Sequence, residues 1–387
     1  MRSHGEGTVY QRDNGKWRAQ ISVGGERITK GGFDTKREAT KWKRKMLFKM
    51  DQGFDPTAGK MKLKDYLHFW FESHKETIRP KTAHQYNNVI NKHLIPYLGE
   101  ISLKDLGLPR IENHYSELSE NSLGNRTVQL VHAVLHRALK QAVRYEYIIK
   151  NPAHGANVPK VEKREMQVLD ENEVIQFLIA ARESSHYALY YLAVKTGMRQ
   201  GELFGLQWKD LDWVKGKIQV RRQVTRVPRQ GWDFSQPKTQ SGVRSIAIGE
   251  NTLDVLRAQR QQVDEWKAIA GDTWEPYDLI FPSHAGTPLY PSNVRRDYNK
   301  VLGQAGFERI RFHDLRHTAA SLMLNQGIPV IVVSNILGHS KASITLDIYG
   351  HLIHGIQEEA AKVMDEIATP VRVDLPEKKS VGEKKEK

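Results

Sequence analysis

The spacing of apolar residues changes along this chain, and each change limits the local backbone. Thr8-Val-Tyr10, Trp17-Arg-Ala-Gln-Ile-Ser-Val23 and Arg27-Ile-Thr29 alternate with the two-residue period of a half-buried strand. Asp13-Asn-Gly15 and Gly24-Gly25 between them are hairpin turn signals. Thr35-Lys-Arg-Glu38 then reads as a capping box, opening a helix whose Ala39, Trp42, Met46 and Met50 share one face. Residues 1–55 are therefore expected to form a module of three strands and one helix. Beyond it the period becomes helical almost everywhere.

Phe54-Asp-Pro-Thr-Ala-Gly-Lys60 has turn formers and no period, as a linker should. Residues 61–150 carry three amphipathic stripes. These are Leu63 to Phe71, Tyr86 to Leu94 (ended by Pro96 and Gly99), and Val128 to Val143. The Lys150–Arg164 stretch, with prolines and charges, is expected to be a second linker. Residues 165–365 form the largest unit. Asp170-Glu-Asn-Glu173 caps a helix, and Thr196-Gly197 stops the apolar run from Tyr187 to Val194. Strands are expected at Lys217–Val224, Trp232–Gln236 and Val243–Ile248. Helices are expected at Thr252–Ile269, Ser292–Ala305, His313–Asn325, Val330–Leu337, Ala342–Ile348 and 351–365. Residues 366–387, rich in Lys and Glu, are expected to be a disordered charged tail. The fold class is thus mainly α with small β-sheets.

Charge narrows the partners. The net charge is +14. The first 60 residues hold 14 Lys/Arg and 7 Asp/Glu, a surplus of seven, which is half of that excess. A basic excess of this size favours a polyanion, nucleic acid above all. Arg12, Lys16, Arg18, Arg27 and Lys30 fall on or beside the strands, where a sheet can enter a major groove. Arg79, Lys81 and Arg126 lie on the polar faces of the helical segment, placed for backbone phosphates. The chain has no cysteine, so neither disulfides nor thiolate-ligated metals can form. The absence of an 18-residue apolar run and of an apolar segment after Met1 points to a cytoplasmic protein with no membrane partner.

The chemistry gathers between Ile310 and Tyr349. His313 and Arg316 are three apart, on one helical face. His339 follows a second helical run, and Tyr349 comes ten residues later. Nitrogen donors around one phenol suit attack on a phosphate, with the donors holding anionic oxygens and the phenol as nucleophile. Arginine is the better donor here, because a planar guanidinium meets two phosphate oxygens at once. Free tyrosine titrates near about 10, so the site must favour the phenolate or take its proton. His313 and His317 also stand four apart, as in a zinc-hydrolase helix. Asp314 and the cation of Arg316 disfavour that reading, and no metal or cofactor is expected.

Thr196-Gly-Met-Arg199-Gln-Gly-Glu202-Leu, Pro237-Lys238-Thr, His313-Asp-Leu-Arg316-His317, Leu337-Gly-His339-Ser and Tyr349 together resemble the tyrosine recombinase, or phage integrase, family. The resemblance implies an arm-type DNA-binding domain over 1–55, a helical core-binding domain over 61–150 and a catalytic domain over 165–365. It implies a site-specific recombinase that cuts and rejoins DNA through a 3′-phosphotyrosyl link on Tyr349. Arg199 and Arg316 would bind the non-bridging oxygens. Lys238 would protonate the leaving 5′-oxygen, and His313 and His339 would assist. His317 is expected to be a packed or supporting histidine, with Glu202 and Asp314 orienting their neighbours. Implied partners are double-stranded DNA with core-type and arm-type sites, a homotetramer assembled on it, and accessory bending and excision factors. The rival readings are a type IB topoisomerase-like nicking-closing enzyme and a non-catalytic DNA-binding regulator.

Overall fold

A computed structural model describes residues 7–23, 26–51, 58–161, 166–228, 230–237, 240–308, 310–350 and 356–368. They fall into two compact units, Met1–Arg164 with Val227–Gly231, and Glu165–Arg226 with Trp232–Lys387.

In the first unit, β1 (Thr8–Gln11), β2 (Trp17–Val23) and β3 (Glu26–Phe33) form an antiparallel sheet in that order, followed by α1 (Lys36–Asp51). The expected capping box is present: Thr35 Oγ1 accepts from Glu38 N, and Glu38 Oε2 from Thr35 N. Ala19, Ile21 and Ala39 are fully buried, so the odd positions of β2 face α1. Strand pairing therefore puts Thr8, Tyr10, Arg18, Gln20, Ser22, Arg27 and Thr29 together on the opposite face. That face is polar, with Tyr10 exposed.

A helical bundle follows: α2 (Leu63–Lys75), α3 (Pro80–Val89), a π-turn at Ile90–Leu94, α4 (Ile95–Leu98), α5 (Leu108–Glu120) and α6 (Asn125–Arg144). Its core joins Leu63, Tyr66, Trp70, Leu94, Tyr115 and the inner stripe of α6 from Val128 to Ala142. The Tyr66 hydroxyl donates to the Ala138 carbonyl at 2.6 Å, so the buried phenol is satisfied. The Lys150–Arg164 linker is corrected in part. Ala153 is fully buried in the bundle core, and the Pro159 and Lys160 carbonyls accept from Gln129 and Asn125 of α6. Hydrogen bonding and burial strap this stretch to the bundle, whatever its turn-rich composition suggests.

The second unit opens with α7 (Glu171–Ala180), α8 (Tyr187–Thr196) and α9 (Gln200–Phe204). The strands β4 (Leu211–Asp212), β5 (Lys217–Val220), β6 (Gln223–Val227), β7 (Gly231–Ser235) and β8 (Arg244–Ala247) come next. β5 is central in the sheet β4-β5-β8, and β6 pairs with β7. The single strand expected at Lys217–Val224 is in fact two. The break falls at Arg221–Arg222, where Arg222 turns to the buried carboxylate of Asp210. The chain then runs through α10 (Glu250–Ala270), α11 (Pro291–Gln304), α12 (Asp314–Asn325), α13 (Val330–Leu337), α14 (Ala342–Tyr349) and α15 (Ile356–Ala368). Phe177, Tyr190, Tyr298 and Phe312 pack edge-to-face or tilted at ring separations of 5.6–6.1 Å in the core. Burying each such ring contributes about 1.5–3 kcal/mol, and the cluster gives α12 a firm seat. No helix among the described residues is long and apolar enough to cross a membrane.

Candidate active site

The site is built on helix ends. The α8 helix stops at Gly197, whose φ of +60° no other residue adopts without strain. A Cβ there would lie 2.7 Å from Leu337 Cδ2 and 3.3 Å from the Ala319 Cβ, so α12 and α13 close against this turn. The turn aims its own carbonyl inward, where it accepts from Arg316 Nη1 at 2.8 Å. Two residues on, Arg199 caps α9. Its Nη1 donates to Glu202 Oε1 at 2.8 Å and its Nη2 to the Gly338 carbonyl at 3.4 Å.

α12 supplies the next group. Its first residue, Asp314, is buried and accepts from Arg311 through N, Nε and Nη2 at 2.9–3.1 Å, which fixes the helix start. His313, Arg316 and His317 then rise from one side of it. Arg316 is buried, and its Nη2 has no hydrogen-bond partner among the described residues. Burial first, then the charges of Arg199 and Arg244, pull Arg316 down to about 9, opposed by Glu202, so it stays protonated at neutral pH. His313 opens to solvent on one edge. Burial of the rest of the ring, then His317 and Arg316, hold it below its ordinary range.

The α13 helix ends at Gly338, φ +69°, and presents His339. The His339 Nδ1 and the buried hydroxyl of Thr345 share a hydrogen bond of 2.8 Å. Burial, then Arg316, Arg199 and Arg244, push His339 down to about 4, so it is neutral at pH 7. Tyr349 ends α14 and is 1% exposed, in a small core with Ala320, Leu324, Val333 and Leu337. Its hydroxyl lies 2.6 Å from His317 Nδ1. Burial raises the phenol to about 12, against the lowering charge of Arg316. A phenol with so high a pKa is the donor in that bond, and His317 the acceptor. His317 itself is held below its ordinary range, chiefly by burial, so it is a free base at neutral pH.

Five of the six expected site residues are thus brought together: Arg199, His313, Arg316, His339 and Tyr349. Lys238 lies outside the described residues, as do His351 and His354. His317, expected to be a packed or supporting histidine, is in direct contact with the Tyr349 hydroxyl. Its spacing of four from His313 was visible, but only the return of α14 puts Tyr349 beside it. Glu202 was expected to orient its neighbours, and Arg244 was not singled out. Glu202 is buried between two arginines, accepting Arg244 Nη2 at 2.9 Å as well as Arg199. Arg244, from β8, is 6% exposed. Two guanidiniums thus bond this carboxylate and a third, that of Arg316, feels its charge, a surplus of two positive charges with the histidines neutral. That surplus matches a phosphoryl group gaining charge during attack.

The DNA-facing expectations divide. Arg18 and Arg27 lie on the outward face of the sheet. Lys30 does not: it pairs in register with Ala19, on the α1 side. Arg12 and Lys16 sit in the β1–β2 turn, where Lys16 is ion-paired with Asp34. Lys81 and Arg126 are exposed on α3 and α6, and Arg79 caps α3.

This arrangement is that of a tyrosine-dependent DNA strand transferase. The phage integrase family matches residues 167–354, its N-terminal SAM-like domain residues 62–119, and an arm DNA-binding domain residues 8–50. The chain belongs to the phage integrase family and is a tyrosine recombinase. It is 29% identical to a "Tyrosine recombinase XerC-like" protein of Caldanaerobacter subterraneus subsp. tengcongensis, over 92% of this chain and 97% of that one. The fold is similar to that of the Tn1549 transposon integrase in complex with a circular intermediate DNA, at TM-score 0.66 and 21% identity, covering 80% of this chain and 100% of that one. It is also similar to the lambda integrase tetramer bound to a Holliday junction, at TM-score 0.55 and 21% identity, covering 86% of this chain and 96% of that one.

Proposed function

We propose that this recombinase integrates and excises a phage or other mobile element, with Tyr349 as nucleophile. The observation that carries the reading is the hydrogen bond from Tyr349 to His317, near an Arg316 Nη2 that has no hydrogen-bond partner among the described residues. In the proposed step the Tyr349 oxygen attacks the scissile phosphorus and its proton passes to His317 Nδ1. The bond from phosphorus to the 5′-oxygen breaks, leaving a 3′-phosphotyrosyl link. Lys238 supplies the proton that the 5′-oxygen takes. Arg199 and Arg316 bind the non-bridging oxygens, and His313 and His339 donate to the same phosphate. The link preserves an ester, so a second 5′-hydroxyl can reverse the step with no other energy source.

Three domains share the labour in this reading: 1–55 on arm-type sites, 61–150 gripping the core site, and 165–365 doing the chemistry. The outward face of the sheet, with Arg18, Arg27 and Tyr10, fits a major groove. Holding two DNA sites on one chain raises the effective concentration of each for the other. Strand exchange between two duplexes takes four tyrosines, so the working form is a homotetramer on DNA. Host bending and excision proteins assist it, in the cytoplasm, and α15 docks on a neighbouring subunit.

The test is a nicked suicide duplex carrying the core site found at the element's genomic junctions. The wild type should form a covalent protein–DNA adduct without added metal or ATP. Tyr349→Phe should form none while shifting the same duplex in a gel. An adduct that survives Tyr349→Phe would assign the nucleophile elsewhere.

A further inference from the structure

Arg244 reaches neither solvent nor the phenol, yet it is bonded on every side. Its Nε donates to the Ile336 carbonyl at 2.5 Å, in the last turn of α13. Its Nη1 donates to the Gly242 carbonyl at 3.0 Å, in the turn that leads into β8. Its Nη2 donates to Glu202 Oε2 at 2.9 Å. That same oxygen accepts from the Arg199 backbone N–H at 3.0 Å, and the other from Arg199 Nη1. Gly338 is pressed against the guanidinium. A Cβ there would lie 2.9 Å from Arg244 Nη1, 3.0 Å from its Cδ and 3.0 Å from the Ser241 carbonyl oxygen. The next residue is His339.

Segments of chain 42 and 92 residues away from Arg244 thus converge on one side chain. A charge this buried is expensive unless paired and fully bonded. Glu202 is the pair. Burial alone would raise the Glu202 carboxyl, but the hydrogen bond and charge of Arg244, then the charge of Arg199, hold it below its ordinary range. An ionised Glu202 is what aims Arg199. The Ile336 bond and the Gly338 contact set where the α13 turn presents His339.

We infer that Arg244 is a positioning residue for strand cleavage. It holds Glu202 ionised against Arg199 and locks the turn that carries His339, so both donors meet the phosphate together. This rests on the recombinase reading above. It places no contact between Arg244 and DNA.

Single-turnover cleavage of the suicide duplex, with protein in excess and across pH 5 to 9, tests it on the full chain. R244Q should lower the maximal rate about 10²-fold, the scale of a lost preorganised donor, with half-saturating protein concentration unchanged. Its rate should fall further as pH drops, because Glu202 without Arg244 takes up a proton that it refuses in the wild type. E202Q/R244Q should lose that added pH dependence and be no slower at pH 7 than the slower single variant. R244K, which keeps the charge but not the three-way fork, should recover part of the rate and the wild-type pH profile. R244Q at the wild-type rate would overturn the inference. So would a loss in R244Q that is the same at every pH and additive with E202Q, the mark of a merely structural residue. Should R244Q not fold, R244K decides: a wild-type rate there overturns the need for the fork. A wild type that forms no adduct would instead sink the recombinase reading, which no R244 variant can do.

Discussion

The outward face of the N-terminal sheet and the candidate site of the second unit both carry arginines suited to a polyanion, but on opposite terms. On the sheet, Arg27 is exposed and Arg18 half-buried, and among the described residues no carboxylate of this module is buried. At the candidate site, Arg316 and the side chain of Arg244 are buried, Glu202 neutralises one charge, and carbonyls of Gly197, Gly242 and Ile336 fix the rest. A solvated cation gives affinity through released counterions and adapts to any phosphate. A desolvated, fixed guanidinium gives little extra affinity but needs no reorganisation when charge develops. In the proposed reading the same residue type serves binding in one region and catalysis in the other, and burial makes the difference.

That contrast can be broken experimentally. Arg316→Lys should lower strand cleavage by about 10²–10³ and leave the gel shift of the core duplex unchanged, because a lysine cannot span the Gly197 carbonyl and a phosphate oxygen. A parallel loss of binding would mean that Arg316 is an affinity residue after all. His317→Phe should slow cleavage by about 10²-fold or more at neutral pH, the usual range for a lost general base. The sign of its pH dependence is specific. His317 titrates below its ordinary range, so the wild-type rate should hold down to mildly acid pH and fall only below it. The variant's rate should instead climb steadily with pH as hydroxide replaces the imidazole. A flat profile in His317→Phe would return His317 to a packing role.

Smaller effects are expected on the sheet. Arg18→Ala and Arg27→Ala should each weaken arm-site binding and reduce the slope of log affinity against log salt by about 0.9. Neither should change cleavage of a core-only duplex, and a cleavage defect would erase the distinction between the two regions. The smallest effect concerns acid stability. His339 is depressed to about 4 in the folded chain, against about 6.5 when unfolded. The unfolded chain therefore binds more protons between those values, and stability falls as pH drops through that window. His114, buried in α5 beside Tyr97, is lowered in the same sense, chiefly by burial. His114→Phe should thus flatten the acid-side fall of the melting temperature without altering it at pH 8.

Much of this was legible in order along the chain, where the governing forces are local. Asp170 with Glu173 and Thr35 with Glu38 mark helix starts because each satisfies backbone N–H groups a turn away. Gly197 marks a stop because of its positive φ. The stripes at 63–71 and 128–143 became buried faces of α2 and α6. The α5 helix went unseen because Ile111, Tyr115 and Leu118 are diluted by Asn, His, Ser and Glu. His313, Arg316, His339 and Tyr349 stood out by type and spacing, and Arg199 through the family resemblance.

What local pattern could not contain is which distant groups share a bond. His317 is one turn from His313 in the chain, yet its partner lies 32 residues on. Arg244 reads as a solvent-facing strand residue until α13 and α9 close over it. Periodicity and capping act over a few residues, so a single segment specifies them. Burial, desolvation and the pairing of Glu202 with two arginines exist only after segments meet, and in the proposed reading those terms separate the cations that bind from those that catalyse.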